Sequence, residues 1–233
     1  MNVIITGATK GIGLAIAHVF AKHNNTLLLC SRNSSELQQV QATLQAIYPA
    51  ATIHTMQADV SVAEQCSTFA KWCITTALNI DVLINNAGYF VPGSIHTEDD
   101  GVLTQMLQTN LYSAYNMSRS IVPNMIANHS GTIVNICSIA SMQAYPNGGS
   151  YSISKYAMLG LSNNLREELK PHGIRVTAVL PGAVYTNSWV GSGVSEQRIM
   201  EANDVAAMVY TACTLSPQAV VENMVLRPQL GDL

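Results

Sequence analysis

The sequence predicts a single α/β domain: a doubly wound, seven-stranded parallel sheet with helices on both faces. Three observations predict it. Short apolar, β-branched runs alternate with longer segments of helical period, as expected of strands buried on both sides and covered by helices. A glycine-rich turn follows the first of these runs and opens a helical segment. The 233 residues are 48% apolar and 11% charged, against roughly 25% charged in an average globular chain, so one domain has ample core and no separate substrate domain is expected.

The elements follow in order. Strand Val3–Thr6 leads into helix Gly11–His23, and strand Thr26–Ser31 into helix Ser34–Tyr48, which Pro49 stops. Strand Ala51–Ala58 precedes helix Ser61–Leu78, where Ser61 with Glu64 three residues later makes a capping-box pattern. Strand Ile80–Asn85 is followed by one long helical stretch, Glu98–Asn128. Strand Gly131–Cys137 leads to helix Ser150–Lys170, closed by His172-Gly173, and then strand Ile174–Leu180. Helix Asn203–Leu215 and strand Ala219–Leu226 complete the set. There is no repeat, low-complexity tract or linker, and right-handed crossovers make the sheet doubly wound, or Rossmann-like.

Charge and composition exclude several roles. A net charge of −3 leaves no global basic field for nucleic acid or an anionic membrane. No apolar run approaches the ~18 residues of a membrane span. The first strand begins almost at Met1, so no cleaved leader is expected. Cys30, Cys66, Cys73, Cys137 and Cys213 are odd in number and form no CxxC, which reads as reduced core thiols in a cytoplasmic protein. His18, His23, His54, His96, His129 and His172 lack ligand spacing and read as surface or loop residues, so no catalytic zinc or other metal is expected.

The turn Thr6-Gly7-Ala8-Thr9-Lys10-Gly11-Ile12-Gly13 lies where glycines let backbone N–H groups and a helix N-terminus approach a pyrophosphate. Its spacing is G-x-x-x-G-x-G rather than G-x-G-x-x-G. Tight packing of strand on helix is the alternative reading of that turn. At the end of the second strand, where an NAD-binding fold places an acid for the ribose 2′-hydroxyl, the chain reads Ser31-Arg32-Asn33. A forked cation and a hydroxyl suit a 2′-phosphate, and Lys10 adds a second positive charge, so the expected cofactor is NADP(H). The competing reading makes Arg32 and Lys10 solvated loop charges.

From these residues onward the sequence resembles the short-chain dehydrogenase/reductase family, end to end. The resemblance rests on Thr6–Gly13, Asp59-Val60, Asn85-Asn86-Ala87-Gly88, Asn110, Ser138, Tyr151-Ser-Ile-Ser-Lys155, and Pro181-Gly182 with Thr186. It implies an NADP(H)-dependent oxidoreductase, in the carbonyl-reductase direction, moving a hydride between nicotinamide and a carbonyl/secondary-alcohol pair. Tyr151 and Lys155, four apart in a helix, share one face. A phenol ionises near 10, and a neighbouring ammonium favours the phenolate, so Tyr151 is the expected acid/base. Ser138 stands just past the fifth strand and can bond the same carbonyl oxygen.

By resemblance, Asn110 interrupts helical hydrogen bonding and holds a water that links Lys155 to solvent, and Lys155 also binds the nicotinamide ribose. Gly7, Thr9, Gly11, Ile12 and Gly13 are thus expected at the pyrophosphate, and Ser31, Arg32 and Lys10 at the 2′-phosphate. Also by resemblance, Asp59 and Val60 make the adenine site, with Asp59 accepting from the exocyclic amine. Asn86, Ala87 and Gly88 line the adenosine side, although Asn86 reads equally as a residue bonding neighbouring strands. Pro181 and Gly182 are cofactor-binding positions of the Pro181–Thr186 motif, in which Val184 and Thr186 bond the nicotinamide carboxamide.

A short substrate lid is expected around 187–202, with small residues at 191–193 as a hinge. Trp189 reads either as a substrate wall or as packing for the lid. The loop Ile139–Pro146, with Met142 and Tyr145, forms another wall. The chain lacks an Asp-Gly-Gly ending, which lowers the acyl-carrier class. Acyl-carrier or acyl-CoA ketoreductase, small-ketone or aldehyde reductase and pterin reductase share this machinery. A non-catalytic NADP(H)-sensing regulator is the rival from another class. By resemblance the partner is a second copy, in a homodimer or homotetramer paired through the helices of Asn110 and Tyr151.

Overall fold

The computed structural model describes residues 1–232 except Asn187, Ser188, Val190 and Ser192. Its strands are β1 (Asn2–Thr6), β2 (Thr26–Ser31), β3 (Thr52–Gln57), β4 (Val82–Asn85), β5 (Gly131–Ile136), β6 (Ile174–Pro181), β7 (Val184–Tyr185), β8 (Met200–Glu201) and β9 (Asn223–Leu226). The helices are α1 (Gly11–Lys22), α2 (Ser34–Ile47), α3 (Ala63–Ala77), α4 (Val102–Leu107), α5 (Ser113–Ala127), α6 (Gly149–Leu169) and α7 (Ala202–Thr214). Seven strands form one sheet in the order β3-β2-β1-β4-β5-β6-β9, every pairing parallel. The expected fold class is therefore observed. A second, two-stranded pairing of β7 with β8 was not anticipated.

The strand period of two divides the core. Val3 and Ile5 point to one face, with Leu27, Leu29, Phe20 and Val205, where α1, α2 and α7 pack. Ile4 and Leu28 point to the other, with Phe69, Met117 and Ile121 from α3 and α5. A strand whose every residue is apolar can only be satisfied in a sheet covered on both sides.

Several expected boundaries move, each for a hydrogen-bonding reason. The capping box of Ser61 and Glu64 does not form: Ser61 N–H and Oγ both donate to Asp59 Oδ1, at 3.0 and 2.7 Å, and α3 begins at Ala63. The expected helix Glu98–Asn128 begins only at Val102, behind Gly101 in the left-handed region (φ +90°). It is also broken by one π-helical turn, Gln108–Tyr112. The last strand begins at Asn223 rather than Ala219, because the Arg175 guanidinium takes the carbonyls of Cys213, Leu215 and Ala219 in place of a ladder. Similarly, Ile80 N–H donates to Asn124 Oδ1, leaving β4 to start at Val82.

All five cysteines are buried and unpaired, and burial pushes their thiols up, Cys66 to about 11. Among the described residues no cluster of His, Cys, Asp or Glu is arranged for a metal, and no helix is long and apolar enough to cross a membrane.

Candidate active site

Strand order reverses between β1 and β4, and the crevice beyond their carboxyl ends gathers the motif residues. The turn after β1 passes through Gly7 (φ +65°) and Gly11 (φ +55°), both in the region that favours glycine. A Cβ on Gly13 would overlap Asn86 Nδ2 and the Gly7 carbonyl. Asn86 in turn donates from Nδ2 to Thr6 O (2.9 Å) and Gly7 O (3.0 Å), while Thr6 Oγ1 accepts from the backbone of Asn86 and Ala87. The Asn86 side chain thus takes the structural alternative: it braces the turn. Helix α1 has neither a side-chain cap nor an acidic residue in its first turn. Its amide groups are left to an anion, so the turn fits a pyrophosphate.

At the outer end of the crevice the hydroxyls of Thr9 and Ser31 lie 3.1 Å apart. Arg32 is exposed, and its guanidinium has no partner among the described residues. The Lys10 ammonium is paired with Glu36 at 2.8 Å. The pair is partly exposed and worth about 0–1 kcal/mol, little enough for a stronger anion to displace. Asp59 holds Ser61 with one carboxylate oxygen, and Val60 is buried beside it.

The catalytic candidates converge deeper in the crevice. Tyr151 and Lys155 lie on α6, and the Lys155 ammonium sits 5.8 Å from the Tyr151 ring centroid. Lys155 is buried and donates to Ile136 O at 2.8 Å. Burial holds its amine below the ordinary lysine range. Burial likewise pushes the Tyr151 phenol up, with a hydrogen bond to Ser138 pulling it back down. Ser138 is buried at the end of β5, where its Oγ accepts from Ala140 N–H at 3.1 Å and so orients the hydroxyl.

Asn110 lies inside the π-helical turn, fully buried. Its amide exchanges two bonds with the backbone of Tyr89, at 2.9 and 3.0 Å, and donates to Ser154 Oγ at 2.9 Å. It therefore ties the strand β4 exit to the catalytic helix. Gly88 leaves space there: a Cβ would stand 3.1 Å from Asn110 Oδ1 and 3.6 Å from Lys155 Nζ.

Comparisons with known proteins agree with the fold. The short chain dehydrogenase family model matches residues 1–196. The chain belongs to that family. A sepiapterin reductase of Chlorobaculum tepidum is 33% identical, over 99% of this chain and 97% of its own. Among solved structures, a metagenomic short-chain oxidoreductase in complex with NADP superposes with a TM-score of 0.85 at 29% identity, covering 98% of this chain and 97% of that one. A serine dehydrogenase complexed with NADP⁺ gives a TM-score of 0.89 at 27% identity, over 100% and 97% of the two chains. Membership makes this chain an oxidoreductase by family, with a Rossmann-like fold.

Within this family member, Pro181 and Gly182 end β6, where Gly182 N–H bonds Leu226 O at 2.8 Å. Val184 pairs with Met200, pinning the base of the lid segment. Thr186 faces the first turn, since a Cβ on Gly11 would lie 3.1 Å from its Cγ2. Trp189 N–H donates to Thr186 O at 2.9 Å and the residue is half-buried. Of the expected 191–193 hinge, Ser192 lies outside the described residues, while Gly191 (φ +83°) and Gly193 (φ +79°) are exposed.

Sequence reasoning missed two neighbours of Tyr151. Phe90 packs its ring edge-on against the Tyr151 ring, centroids 4.9 Å apart at 72°. It lies two residues after the Asn86–Gly88 motif, and that proximity was its one available signal. Glu98 bonds Ser150, the residue immediately before Tyr151, from 52 positions away. Nothing local marks it.

Proposed function

We propose that this oxidoreductase uses NADP(H) to reduce a carbonyl group to a secondary alcohol, with Tyr151 as the proton donor. The observation that carries the reading is the buried Lys155 ammonium 5.8 Å from the Tyr151 ring centroid, with the buried Ser138 hydroxyl oriented by Ala140 N–H at the end of β5. When bound, the nicotinamide supplies the hydride. The chain's part is the proton and the geometry. Ser138 and Tyr151 hydroxyls present two donors to one carbonyl oxygen, and Tyr151 passes its proton to that oxygen as charge develops. Lys155 stabilises the phenolate left behind. Burial pushes the Tyr151 phenol up, which suits it to the role of proton donor.

The exposed Arg32 guanidinium, with Ser31 and Thr9, supports NADP(H) over NAD(H). The two structures above that hold NADP or NADP⁺ agree with this. The C. tepidum relative adds sepiapterin as a candidate substrate. Phe90 beside Tyr151 favours a planar ring at that position. An acyl-carrier ketoreductase and a non-catalytic sensor are the remaining alternatives, the latter opposed by the assembled Ser138, Tyr151 and Lys155.

The test is NADPH oxidation against a carbonyl panel that includes diketones, aldehydes, β-ketoacyl thioesters and sepiapterin. Turnover is expected on at least one, falling about 10²–10⁴-fold in Tyr151→Phe, the usual range for a general acid. A wild type that binds NADPH yet turns over nothing would favour the sensor. Undiminished turnover in Tyr151→Phe would remove the mechanism.

A further inference from the structure

The first turn of α6 has no cap of its own. Its N-cap, Gly148, offers no side chain, and the residues of that turn include no acid. A helix start leaves backbone donors unsatisfied, and these need an acceptor from elsewhere. Here the acceptor is Glu98, brought in from the loop after β4. One of its carboxylate oxygens accepts from Ser150 N–H at 2.8 Å and the other from Ser150 Oγ. Those bonds hold the carboxyl below the usual carboxylate range.

The fit is close on both sides. A Cβ on Gly149 (φ +34°) would overlap Glu98 Oε1, and one on Gly93 would stand 2.8 Å from Glu98 Cγ. The two loops are stitched together nearby as well. Gly93 N–H donates to Asn147 O at 3.1 Å, Ser94 Oγ to Asn147 Oδ1 at 3.1 Å, and Glu98 N–H to Ser94 O at 2.9 Å. The stretch that leaves β4 also carries Phe90, whose ring rests on Tyr151.

We propose that Glu98 is a positioning residue: its carboxylate fixes where α6 begins and so aims Tyr151 at Ser138. The proposal rests on the reading of Tyr151 as the acid. Ser150 is the residue next to Tyr151, so a loosened first turn displaces the phenol directly. Lys155, one turn deeper and tied to Ile136, stays in place. The proton donor and its pocket wall are then held as one unit by a residue that touches neither substrate nor cofactor.

The experiment compares Glu98→Ala, Glu98→Gln and Tyr151→Phe in the full chain, using NADPH and the best substrate of the carbonyl panel. Glu98→Ala is expected to lower kcat about 10–100-fold, because displacement of a reacting group by about 1 Å costs up to about 10²-fold. KM for NADPH should stay within about twofold, since the turn after β1 is untouched. Glu98→Gln should keep kcat within about threefold: its amide oxygen still accepts from Ser150 N–H, and its amide nitrogen can donate to Ser150 Oγ. If Glu98→Ala does not fold, Glu98→Asp, one methylene too short to reach both donors, carries the same expectation.

Wild-type kcat in that variant overturns the proposal. So does a loss that Glu98→Gln fails to recover and that raises KM for NADPH in parallel, because that is the mark of a general structural role. Tyr151→Phe separates the two levels. If it stays active, the underlying mechanism fails; if it is dead while Glu98→Ala is intact, only the positioning role fails.

Discussion

The two sides of the crevice are built differently. On the cofactor side, the turn Gly7–Gly13 is held by Asn86 and Thr6, and each glycine that departs from ordinary backbone has a neighbour explaining why. On the side of Tyr151, the segment that contains Thr186 is anchored by a two-residue pairing of β7 with β8, and Phe90, Met142 and Tyr145 are exposed. The first side has close contacts at its glycines, and the second presents exposed side chains. A phosphate-binding turn needs backbone at fixed positions, whereas a substrate wall needs only a suitable surface.

That contrast can be broken by substitution, and the largest effect should come from the rigid side. Gly13→Val is expected to cost about 3 kcal/mol, the upper end of the overpacking range, because its Cβ meets backbone and a pinned amide. At roughly 2–4 °C per kcal/mol for a chain of this size, calorimetry should show Tm falling by about 6–12 °C. A change under about 2 °C would mean that the turn is softer than its contacts indicate.

Arg32→Asp comes next and leaves the fold alone. Loss of a charge-assisted contact costs about 1.5–3 kcal/mol. NADPH should therefore bind about 10–100-fold more weakly, with NADH little changed, as titration of each nucleotide would show. Equal losses for both nucleotides would place Arg32 somewhere other than the 2′-phosphate.

Phe90→Ala should be the mildest. An edge-to-face pair contributes about 0.5–1.5 kcal/mol, so Tm should fall by about 1–6 °C, and kcat/KM for the best carbonyl should shift by no more than about two- to tenfold. A fall in Tm beyond about 6 °C would assign Phe90 to the rigid side and blur the comparison.

Legibility in the sequence followed the same division. Tyr151 and Lys155 were readable because four residues along a helix put both on one face, and Ser138 because strand ends face ligands. Arg32 was singled out by the acid it replaces, and it stands exposed. The ion pair of Lys10 with Glu36 was not legible, since Glu36 lies on a different element and only folding brings the two within 2.8 Å. The Ser61–Glu64 pattern failed because Asp59, two residues upstream of Ser61, competed for the same donors and won.

By itself the sequence determined the fold class, the seven parallel strands and the identities of the catalytic candidates. Those features are encoded in short-range periodicity and in motifs of a few residues, and backbone geometry makes such patterns readable in one dimension. Only the tertiary structure decided what holds the site together. The Asn86 brace, the Asn110 clamp on Tyr89 and Ser154, and the Glu98 cap on Ser150 all join segments distant in the chain. A hydrogen bond is satisfied by whatever acceptor reaches the right point in space, and sequence separation places no constraint on which residue that is.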